Sequence, residues 1–519
     1  MNKAEKSDQF DLEALRKQVS DIKRRAEEAD EEVQPEPINT YARQIAEQFS
    51  AGNRSPAIII GQLRLFEFAT QFLIGLLAFP FWPGNGAETL SGRGITAAIV
   101  AVLLVCALQT ADTYSIPALR ARMRLLPRVF AVWTSVFLIV IAGSALSGNV
   151  GLGQAQAYLA WFVTGAIFLL AARFLIAYGI RNWSRNGIME RRAVIVGGGE
   201  PAKNLIRVLE QQADNDIRIC GIFDDRGEKR SPIMVAGYPK LGTVAELVEF
   251  VRITRIDMLI ISLPLSAEAR ILQLLKKLWV LPVDIRLAAH ANRLRFRPRA
   301  YSRIGSVPML DIFNKPIRDW DSVAKRCFDI FFTLLSLALL WPVMLATAIA
   351  IKLTSKGPVF FMQNRHGFNN EIINIFKFRS MYADKGDPTG RAAVTKGDPR
   401  VTPVGRFIRK SSIDELPQLF NVLKGDLSLV GPRPHAILAQ ARDRAFGDVV
   451  EGYFARHRVK PGVTGWAQIN GWRGEVDHDD KIKFRTAYDL YYIENWSLWF
   501  DLKILFLTPF RLFNTENAY

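Results

Sequence analysis

The sequence predicts a membrane protein that combines α-helical and α/β parts. Four apolar runs each come close to the roughly 20 residues that a membrane-spanning helix needs. They lie near residues 63–82, 95–111, 127–147 and 157–180. Strand patterns then alternate with helical patterns across residues 190–310, which predicts a Rossmann-like parallel α/β domain. Residues 319–519 are basic and mainly helical in pattern, and they contain one further apolar segment.

The composition also indicates a chain with both membrane and soluble parts. Hydrophobic residues make up 49% of the 519 residues and charged residues 23%, with a mean hydropathy of +0.09. The formal net charge of +17 suits anionic lipid and diphosphate groups. No zinc-finger spacing or RNA-binding aromatic motif accompanies this charge, so a nucleic-acid partner is not expected.

The distribution of arginine between the apolar runs predicts the topology. Four arginines lie within residues 112–128 and four within residues 181–192, whereas the loop at residues 147–156 has no basic residue. By the positive-inside rule, the N-terminus and everything after the fourth run face the cytoplasm. Buried helices of a soluble protein would not produce this alternation. We therefore expect a mobile cytosolic extension at residues 1–55 and a four-helix transmembrane domain at residues 56–182.

A glycine-rich turn follows the first strand of the α/β domain. The predicted strand at residues 193–196 leads into the G-x-G-x-x-A pattern of residues 197–202, and a second predicted strand ends at Asp224. In form this is a dinucleotide fingerprint with an acid where a ribose contact would lie. Because the motif alone is weak evidence, two interpretations stay open. One is a nucleotide-binding site; the other is a structural or regulatory module in which Gly197, Gly199 and Asp224 are vestigial nucleotide-binding residues.

Residues 411–425 contain the candidate chemistry. Apolar side chains at i, i+3, i+4 and i+7 from Leu416 predict a short helix. Ser412 and Glu415 are spaced as a capping box, and Gly425 is placed to end the helix. Acidic residues at such a helix start would meet free N–H groups that favour negative charge.

Cations surround the acid pair of this segment. Asp414 and Glu415 are adjacent, Arg409 lies just upstream, and Arg433 is held between two prolines downstream. Guanidinium groups bind phosphate oxygens in a forked geometry, so an acid pair within a ring of cations suits phosphoryl transfer.

The string S-x-D-E-L-P-Q-x-x-N-V-L-x-G-D-x-S-x-x-G-P-R-P at residues 412–434 resembles the signature of the bacterial sugar transferases, the monotopic polyprenyl-phosphate phosphoglycosyl transferases. The resemblance continues through residues 376–381, 460–468 and 491–497. It implies an enzyme that transfers a hexose 1-phosphate from a UDP-sugar to undecaprenyl phosphate and releases UMP. That reaction is the first membrane step of exopolysaccharide or capsule repeat-unit synthesis.

The C-terminal sequence most resembles relatives that transfer glucose 1-phosphate from UDP-glucose. Nothing physical in the sequence separates glucose from its C4 epimer, because the two differ in the direction of one hydroxyl. The resemblance further implies residence in the bacterial inner membrane and a homodimer. The phosphoglycosyl transferase domain would be residues 319–519, on the cytoplasmic face.

The membrane topology of the apolar segment inside this domain is predicted separately from that of the four apolar runs. Its flanks are basic, with Lys325 before it and Lys352 after it. A full crossing would place the acid pair outside, away from cytosolic nucleotide sugars. Pro342, near the middle, removes a helix N–H and can break a helix. We therefore predict a re-entrant helix–break–helix at residues 325–352 with both ends in the cytoplasm, in contact with the lipid bilayer. The family resemblance implies the same hairpin.

The acid pair supplies the predicted chemistry. An ionised carboxylate needs no general base to attack phosphorus. The resemblance implies that Asp414 is this nucleophile, with a covalent phosphosugar intermediate, and that Glu415 is its catalytic partner. Mg²⁺ is expected as cofactor with these two carboxylates as ligands, and the sequence leaves open which of them holds it. The candidates for contacts with substrate phosphates, or else for structural ion pairs, are Lys377, Arg379, Arg409 and Arg433.

Two other functions fit parts of the sequence. Membrane-bound nucleotide-sugar epimerases or dehydratases can also join membrane helices to a Rossmann unit. Those with a tyrosine base need Tyr-x-x-x-Lys, and no tyrosine in this chain has a lysine four residues later. A non-enzymatic scaffold in polysaccharide export would leave the acid pair and the Pro-Arg-Pro sequence without a role.

Overall fold

The computed structural model describes three consecutive parts of the chain: a helical bundle, a sheet with flanking helices, and a mainly helical C-terminal part. The described residues are 38–49, 55–78, 90–114, 118–119, 122–146, 152–185, 191–211, 217–227, 231–264, 267–288, 302–304, 307–383, 398–435, 440–441, 444–450, 452–472, 474 and 479–512.

Part of the predicted N-terminal extension is structured. Residues Thr40–Gln48 form helix α1, which begins at Asn39, whose side chain accepts a hydrogen bond from the Ala42 N–H. Ala42 and Ala46 are fully buried in the core of the α/β domain. The expectation of a mobile extension is therefore wrong for this helix, because its alanine face packs on the sheet domain. The rest of the extension up to residue 37 lies outside the described residues.

Long apolar helices form the bundle at residues 56–182. They are α2 (Pro56–Ala78), α3 (Leu90–Thr110), α4 (Arg122–Leu146) and α5 (Leu152–Arg185). Their common core contains Trp133, Phe137 and Trp161, while other apolar side chains such as Leu138 are exposed on the outside. Helices α2, α4 and α5 are long and apolar enough to cross a membrane, whereas the apolar stretch of α3 is shorter and spans Gly94–Thr110.

One mixed sheet organises the α/β domain. Its elements are β1 (Arg191–Val196), α6 (Glu200–Glu210), β2 (Ile217–Phe223), β3 (Met234–Val235), β4 (Tyr238–Gly242), α7 (Val244–Ile253), β5 (Met258–Ile261), α8 (Glu268–Leu278), β6 (Asp284–Ala288), β7 (Ser302–Ile304) and β8 (Val307–Phe313). The strand order is β3-β4-β2-β1-β5-β6-β8-β7. The central strands pair in parallel, whereas β3, β8 and β7 join the two edges antiparallel. The expected purely parallel sheet is corrected to a mixed one, because the edge strands are added without a crossover helix.

The C-terminal part is mainly helical, with short strands. Its elements are α9 (Asp319–Thr354), β9 (Phe360–His366), β10 (Ile372–Phe378), α10 (Pro403–Lys410), α11 (Gln418–Lys424), β11 (Ser428–Val430), β12 (Gln440–Ala441), β13 (Arg444–Ala445), α12 (Phe446–Val449), β14 (Gly462–Thr464), α13 (Trp466–Ile469), α14 (Asp479–Glu494) and α15 (Leu498–Leu512). Strands β9 and β10 form an antiparallel hairpin, and β11 pairs in parallel with β14.

Helix α9 contains the predicted re-entrant segment as one continuous helix of 36 residues, with Pro342 inside it. The predicted break at Pro342 is therefore corrected: the proline does not separate two helices. One face of α9, including Thr333, Met344 and Ile351, is buried against the C-terminal part. Its opposite face is apolar and exposed. A helix supported by packing along one face can accommodate the missing proline N–H.

The C-terminal part contacts both other parts of the chain. At the start of α9, the Trp320 indole donates to the Ala57 carbonyl at 3.0 Å and packs directly on Gly61 of α2. On another side, the Asn369 amide donates to the Val251 carbonyl of the α/β domain at 3.3 Å. The described contacts therefore join the C-terminal part to helix α2 and to the α/β domain.

Candidate active site

The backbone around the acid pair differs from the predicted helix start. Ser412 has a left-handed conformation (φ 60°), and Ile413–Glu415 form one turn of 3₁₀ helix. Helix α11 begins only after Pro417 and ends, as predicted, at Gly425 with φ 99°. The predicted capping box is wrong, since the Ser412 side chain makes no capping hydrogen bond. The acids lie on a tight turn before α11 rather than in its first turn.

Glu415 is clamped by two cations from different elements. Its Oε1 accepts hydrogen bonds from Lys377 Nζ at 3.1 Å and from Arg433 Nη2 at 2.5 Å, and its Oε2 accepts one from Arg433 Nη1 at 3.1 Å. The Glu415 side chain is only 13% exposed. Lys377 comes from β10 and Arg433 from the Pro-Arg-Pro segment after β11, so the clamp joins three distant parts of the sequence. Although burial opposes it, the Glu415 charge raises the pKa of Arg433.

Asp414 lies in the same charged cluster but is less well compensated. Loss of surrounding water and the negative charge of Glu415 raise its pKa from 3.8 to about 6. The charges of Lys377, Arg409 and Arg433 oppose this shift. The structure therefore brings together four of the predicted site residues around Asp414, whose carboxyl group would still be mostly ionised at neutral pH.

Arg365 is a member of this cluster that the sequence interpretation missed. It lies on β9 and shares one face of the β9/β10 hairpin with Lys377. Its Nη2 donates a hydrogen bond to Gln363 Oε1 at 2.8 Å. Its Nη1 donates to the carbonyl of Pro434 at 2.5 Å. Burial and the nearby Arg433 lower the pKa of Arg365 to about 10. Only the hairpin register, which the sequence did not supply, could have placed it here.

These observations can now be set beside known proteins. A family model described as bacterial sugar transferase matches residues 320–515. The UDP-glucose:undecaprenyl-phosphate glucose-1-phosphate transferase of Xanthomonas campestris pv. campestris is 38% identical over 75% of this chain and 79% of its own length. The chain belongs to the bacterial sugar transferase family. The family predicted from the residue 412–434 string is thereby confirmed.

Further matches cover different portions of this transferase. A protein of the same name from Escherichia coli K12 is 37% identical over 75% of this chain and 81% of its own length. An N-acetylgalactosaminephosphotransferase of Aeromonas hydrophila, named for UDP-N-acetylgalactosamine and undecaprenyl phosphate, is 48% identical over 36% of this chain and 42% of its own length. A second family model, described as CoA-binding domain, matches residues 109–289.

A buried hydrogen-bond network supports the backbone of the Arg433 segment in the transferase. Arg456 Nη2 donates to the Arg433 carbonyl at 2.7 Å and to Asp489 Oδ2 at 2.6 Å. Its Nη1 contacts His435 Nδ1 at 2.5 Å, and the Tyr453 hydroxyl lies 2.6 Å from the same nitrogen. Burial and the adjacent arginines keep the pKa of His435 well below 6.5, so this imidazole is neutral. The network stiffens the backbone that presents Arg433.

Arg379 lies in a different environment from the other predicted site residues. Its Nη2 donates to the Ser355 carbonyl and to Ser355 Oγ, both at 2.9 Å, and its Nη1 bonds the Lys356 carbonyl. These groups follow the last turn of α9. Strand β10 ends at Phe378, so Arg379 leaves the face that it would have shared with Lys377. A substrate contact by Arg379 stays a prediction.

The described residues differ in how well they could serve as ligands for the expected Mg²⁺. Among the described residues, no group of three or more histidine, cysteine or acidic side chains could hold a metal ion. Both Glu415 oxygens already accept hydrogen bonds from cations, which leaves Asp414 as the better placed carboxylate. The residues therefore fit a Mg²⁺ ion held by Asp414 together with phosphate oxygens, a donor set that this hard cation commonly accepts.

Side chains of the α/β domain itself bind the backbone of its glycine-rich turn. Gly197 and Gly199 have φ values of 99° and 102°, which only glycine adopts readily. Asp224 Oδ2 accepts from the Gly198 N–H at 2.6 Å and from Arg226 Nη2 at 2.7 Å. Arg226 also bonds the Gly198 carbonyl. The acid thus occupies the backbone N–H that a phosphate would otherwise use.

Proposed function

We propose that this transferase moves glucose 1-phosphate from UDP-glucose to undecaprenyl phosphate and releases UMP, as the first membrane step of exopolysaccharide or capsule repeat-unit synthesis. The names of its relatives over three quarters of the chain support the substrates. The observation that carries the chemistry is the unequal acid pair, in which Glu415 is clamped by Lys377 and Arg433 while Asp414 is left with a raised pKa.

The unequal pair gives each acid a role. An Asp414 oxygen attacks the phosphorus that bears the sugar, the bond from this phosphorus to the UMP oxygen breaks, and UMP leaves with that electron pair. A phosphate oxygen of undecaprenyl phosphate then attacks the same phosphorus and Asp414 leaves, restoring the carboxylate. The raised pKa makes Asp414 more basic, and hence more nucleophilic, than an ordinary aspartate.

The cations position the phosphates. Glu415 holds Lys377 and Arg433 in place, and the network through Arg456 fixes the backbone of Arg433. A diphosphate entering beside Asp414 would share these cations and Arg409, which stabilise the charge that builds on the phosphoryl oxygens. When bound, Mg²⁺ would neutralise further phosphate charge, with Asp414 as its protein ligand.

We also propose that α9 enters the cytoplasmic leaflet of the bacterial inner membrane and does not cross it, so that the catalytic domain stays cytoplasmic. Near its start, Lys325 Nζ donates to the Val430 carbonyl at 3.1 Å, and just beyond its end Ser355 accepts from Arg379. Both ends are thus held by the same domain. Cysteine labelling should report the periplasm at position 150 and the cytosol at positions 200 and 390; a periplasmic signal at 390 would mean that α9 spans the membrane.

The homodimer is a further proposal, which the mass of the purified protein in detergent would test.

The covalent step can be tested without the acceptor. Incubation with UDP-glucose alone should release UMP and leave a sugar phosphate on Asp414, detectable by mass spectrometry of its peptide. Initial velocities with both substrates should give the parallel lines of a ping-pong mechanism. Intersecting lines, with no UMP release before acceptor is added, would instead indicate direct attack by the lipid phosphate.

A second candidate donor is a UDP-N-acetylhexosamine. The 48% identity to the Aeromonas enzyme, over 36% of this chain, favours it. Radiolabelled UDP-glucose, UDP-galactose and UDP-N-acetylgalactosamine should be compared at equal concentration, with extraction of the lipid product. We expect the largest transfer from UDP-glucose; preference for the N-acetylated donor would overturn the sugar assignment.

A further inference from the structure

A cavity of the catalytic domain is lined both by the turn that carries the acid pair and by the two most apolar helices of the domain. It has a volume of about 170 Å³, and Ser412 and Glu415 contribute to its lining. Helix α9 contributes Leu340, and α15 contributes Leu505. We call this cavity the α9/α15 groove.

The surface of the α9/α15 groove is mostly aliphatic. Leucine, valine and isoleucine side chains from six elements line it, and no aromatic ring is among its described lining residues. The hydroxyls in its wall are bonded within the protein: Ser336 Oγ donates to the Phe332 carbonyl at 2.7 Å, and Thr508 Oγ1 donates to the Ile504 carbonyl at 2.7 Å. The lining also includes the polar side chains of Gln468 and Arg511. The groove therefore presents mostly hydrocarbon to its contents, with a few polar side chains among the aliphatic ones.

Helices α9 and α15 also carry exposed apolar side chains outside the groove. Leu339 on α9 is 75% exposed, and Trp499 and Phe506 on α15 are 75% and 68% exposed. Such surface is suited to the boundary between headgroups and acyl chains. The groove is thus lined by the turn of the acid pair and by two helices whose exposed side chains are suited to lipid.

We propose that the α9/α15 groove binds the isoprene units of undecaprenyl phosphate that are nearest to its phosphate. This inference rests on the proposed acceptor. Of the two substrates, only the acceptor is a hydrocarbon chain that must bring a phosphate from the membrane to Asp414. The nucleotide and sugar of the donor would leave polar groups without partners against aliphatic walls.

The volume of the groove allows it to hold only a short part of the polyprenyl chain of undecaprenyl phosphate. Pockets that enclose a whole drug-sized ligand are roughly 300–1,000 Å³. A groove of about 170 Å³ holds a short hydrocarbon segment. The remaining isoprene units then stay in the bilayer beside α9 and α15, so the enzyme need not extract the lipid.

Two neighbouring leucines on α9 provide a matched test. In Leu340→Trp the larger side chain fills the groove, whereas in Leu339→Trp the same change lies on the exposed face. We expect the KM for undecaprenyl phosphate to rise about tenfold or more in Leu340→Trp, with the KM for UDP-glucose within about twofold of wild type. Leu339→Trp should leave both constants near wild type. Equal constants in the two variants, or a rise confined to UDP-glucose, would overturn the proposal.

A second measurement uses the unmodified protein, in case Leu340→Trp does not fold. Undecaprenyl phosphate with a diazirine in its first two isoprene units should label Leu416 or Leu505 after irradiation, with the labelled residue located by fragmentation of the peptides. Labelling only at Leu339 or Phe506 would show that the chain stays outside the groove. Neither experiment depends on the covalent intermediate, and photolabelling needs no turnover. Failure of the donor assignment is therefore distinguishable from failure of this proposal.

Discussion

Asp224 in the α/β domain and Asp414 in the catalytic domain both lie beside a tight turn and arginine side chains, but their charges are satisfied to different degrees. Although burial opposes it, hydrogen bonds from Arg226 and the Gly198 N–H lower the pKa of Asp224 below its ordinary value. Burial and Glu415 instead raise the pKa of Asp414 to about 6. The satisfied acid closes a turn, whereas the less well compensated one is the proposed nucleophile.

The largest expected effect comes from Asp414→Asn. The amide keeps the size of the side chain but cannot form the phosphosugar bond, so we expect turnover to fall by on the order of 10⁴-fold or more. Because the folded pKa lies above 3.8, the ionised acid costs the folded protein stability, and this cost develops as the pH rises from 3.8 to about 6. The variant should therefore melt at the same or a higher temperature above pH 6. A lower melting temperature with retained turnover would contradict both parts.

Glu415→Gln should have the next largest effect. Loss of the clamp on Lys377 and Arg433 should lower kcat/KM by on the order of 10²-fold. In the wild type, kcat/KM should decline as the pH falls through about 6, since only ionised Asp414 attacks. The Glu415 charge is one cause of that raised pKa, so its removal should move the acidic limb to lower pH. An unmoved limb would mean that another group controls it.

The two regions also differ in what the sequence could reveal. Asp414, Glu415 and Gly425 are contiguous in one motif, so their proximity was predictable. The capping box failed because the Glu415 carboxylate binds Lys377 and Arg433 rather than a nearby N–H. That pairing depends on distant strands, which local spacing does not encode.

Other site features depended on tertiary structure in the same way. Arg365 and Arg456 reach the Arg433 segment from β9 and from the residues before β14, and neither belongs to a local motif. Pro342 suggested a helix break because sequence rules describe an isolated helix in water. Packing of α9 along the catalytic domain outweighs that preference.

A smaller effect is expected at Arg379, whose guanidinium is hydrogen-bonded within the protein. Changing it tests whether such a cation, like Asp224, contributes to stability rather than to turnover. Its guanidinium bonds Ser355 and Lys356 after α9, so Arg379→Lys should lower the melting temperature with the KM for UDP-glucose within about twofold of wild type. Arg433→Lys is the matched variant, and it should lower kcat/KM about tenfold because lysine cannot form the fork around Glu415. Equal losses of kcat/KM would place Arg379 in the substrate site, as the sequence first suggested.

The smallest effect on turnover is expected for Asp224→Asn, the counterpart of Asp414→Asn. Asparagine can still accept from one donor but loses the ion pair with Arg226, so the variant should cost the α/β domain about 1–3 kcal/mol in free energy of unfolding. Turnover should stay within about twofold of wild type when assayed below the melting temperature, because Asp224 contacts its own glycine turn and not the acid pair. Thermal unfolding and transfer to undecaprenyl phosphate, measured on the same preparations, would check both expectations. A large loss of turnover in a folded Asp224→Asn protein would mean that the glycine turn is coupled to catalysis. The hydrogen bonds around Asp224 would then belong to only one conformation of the glycine turn.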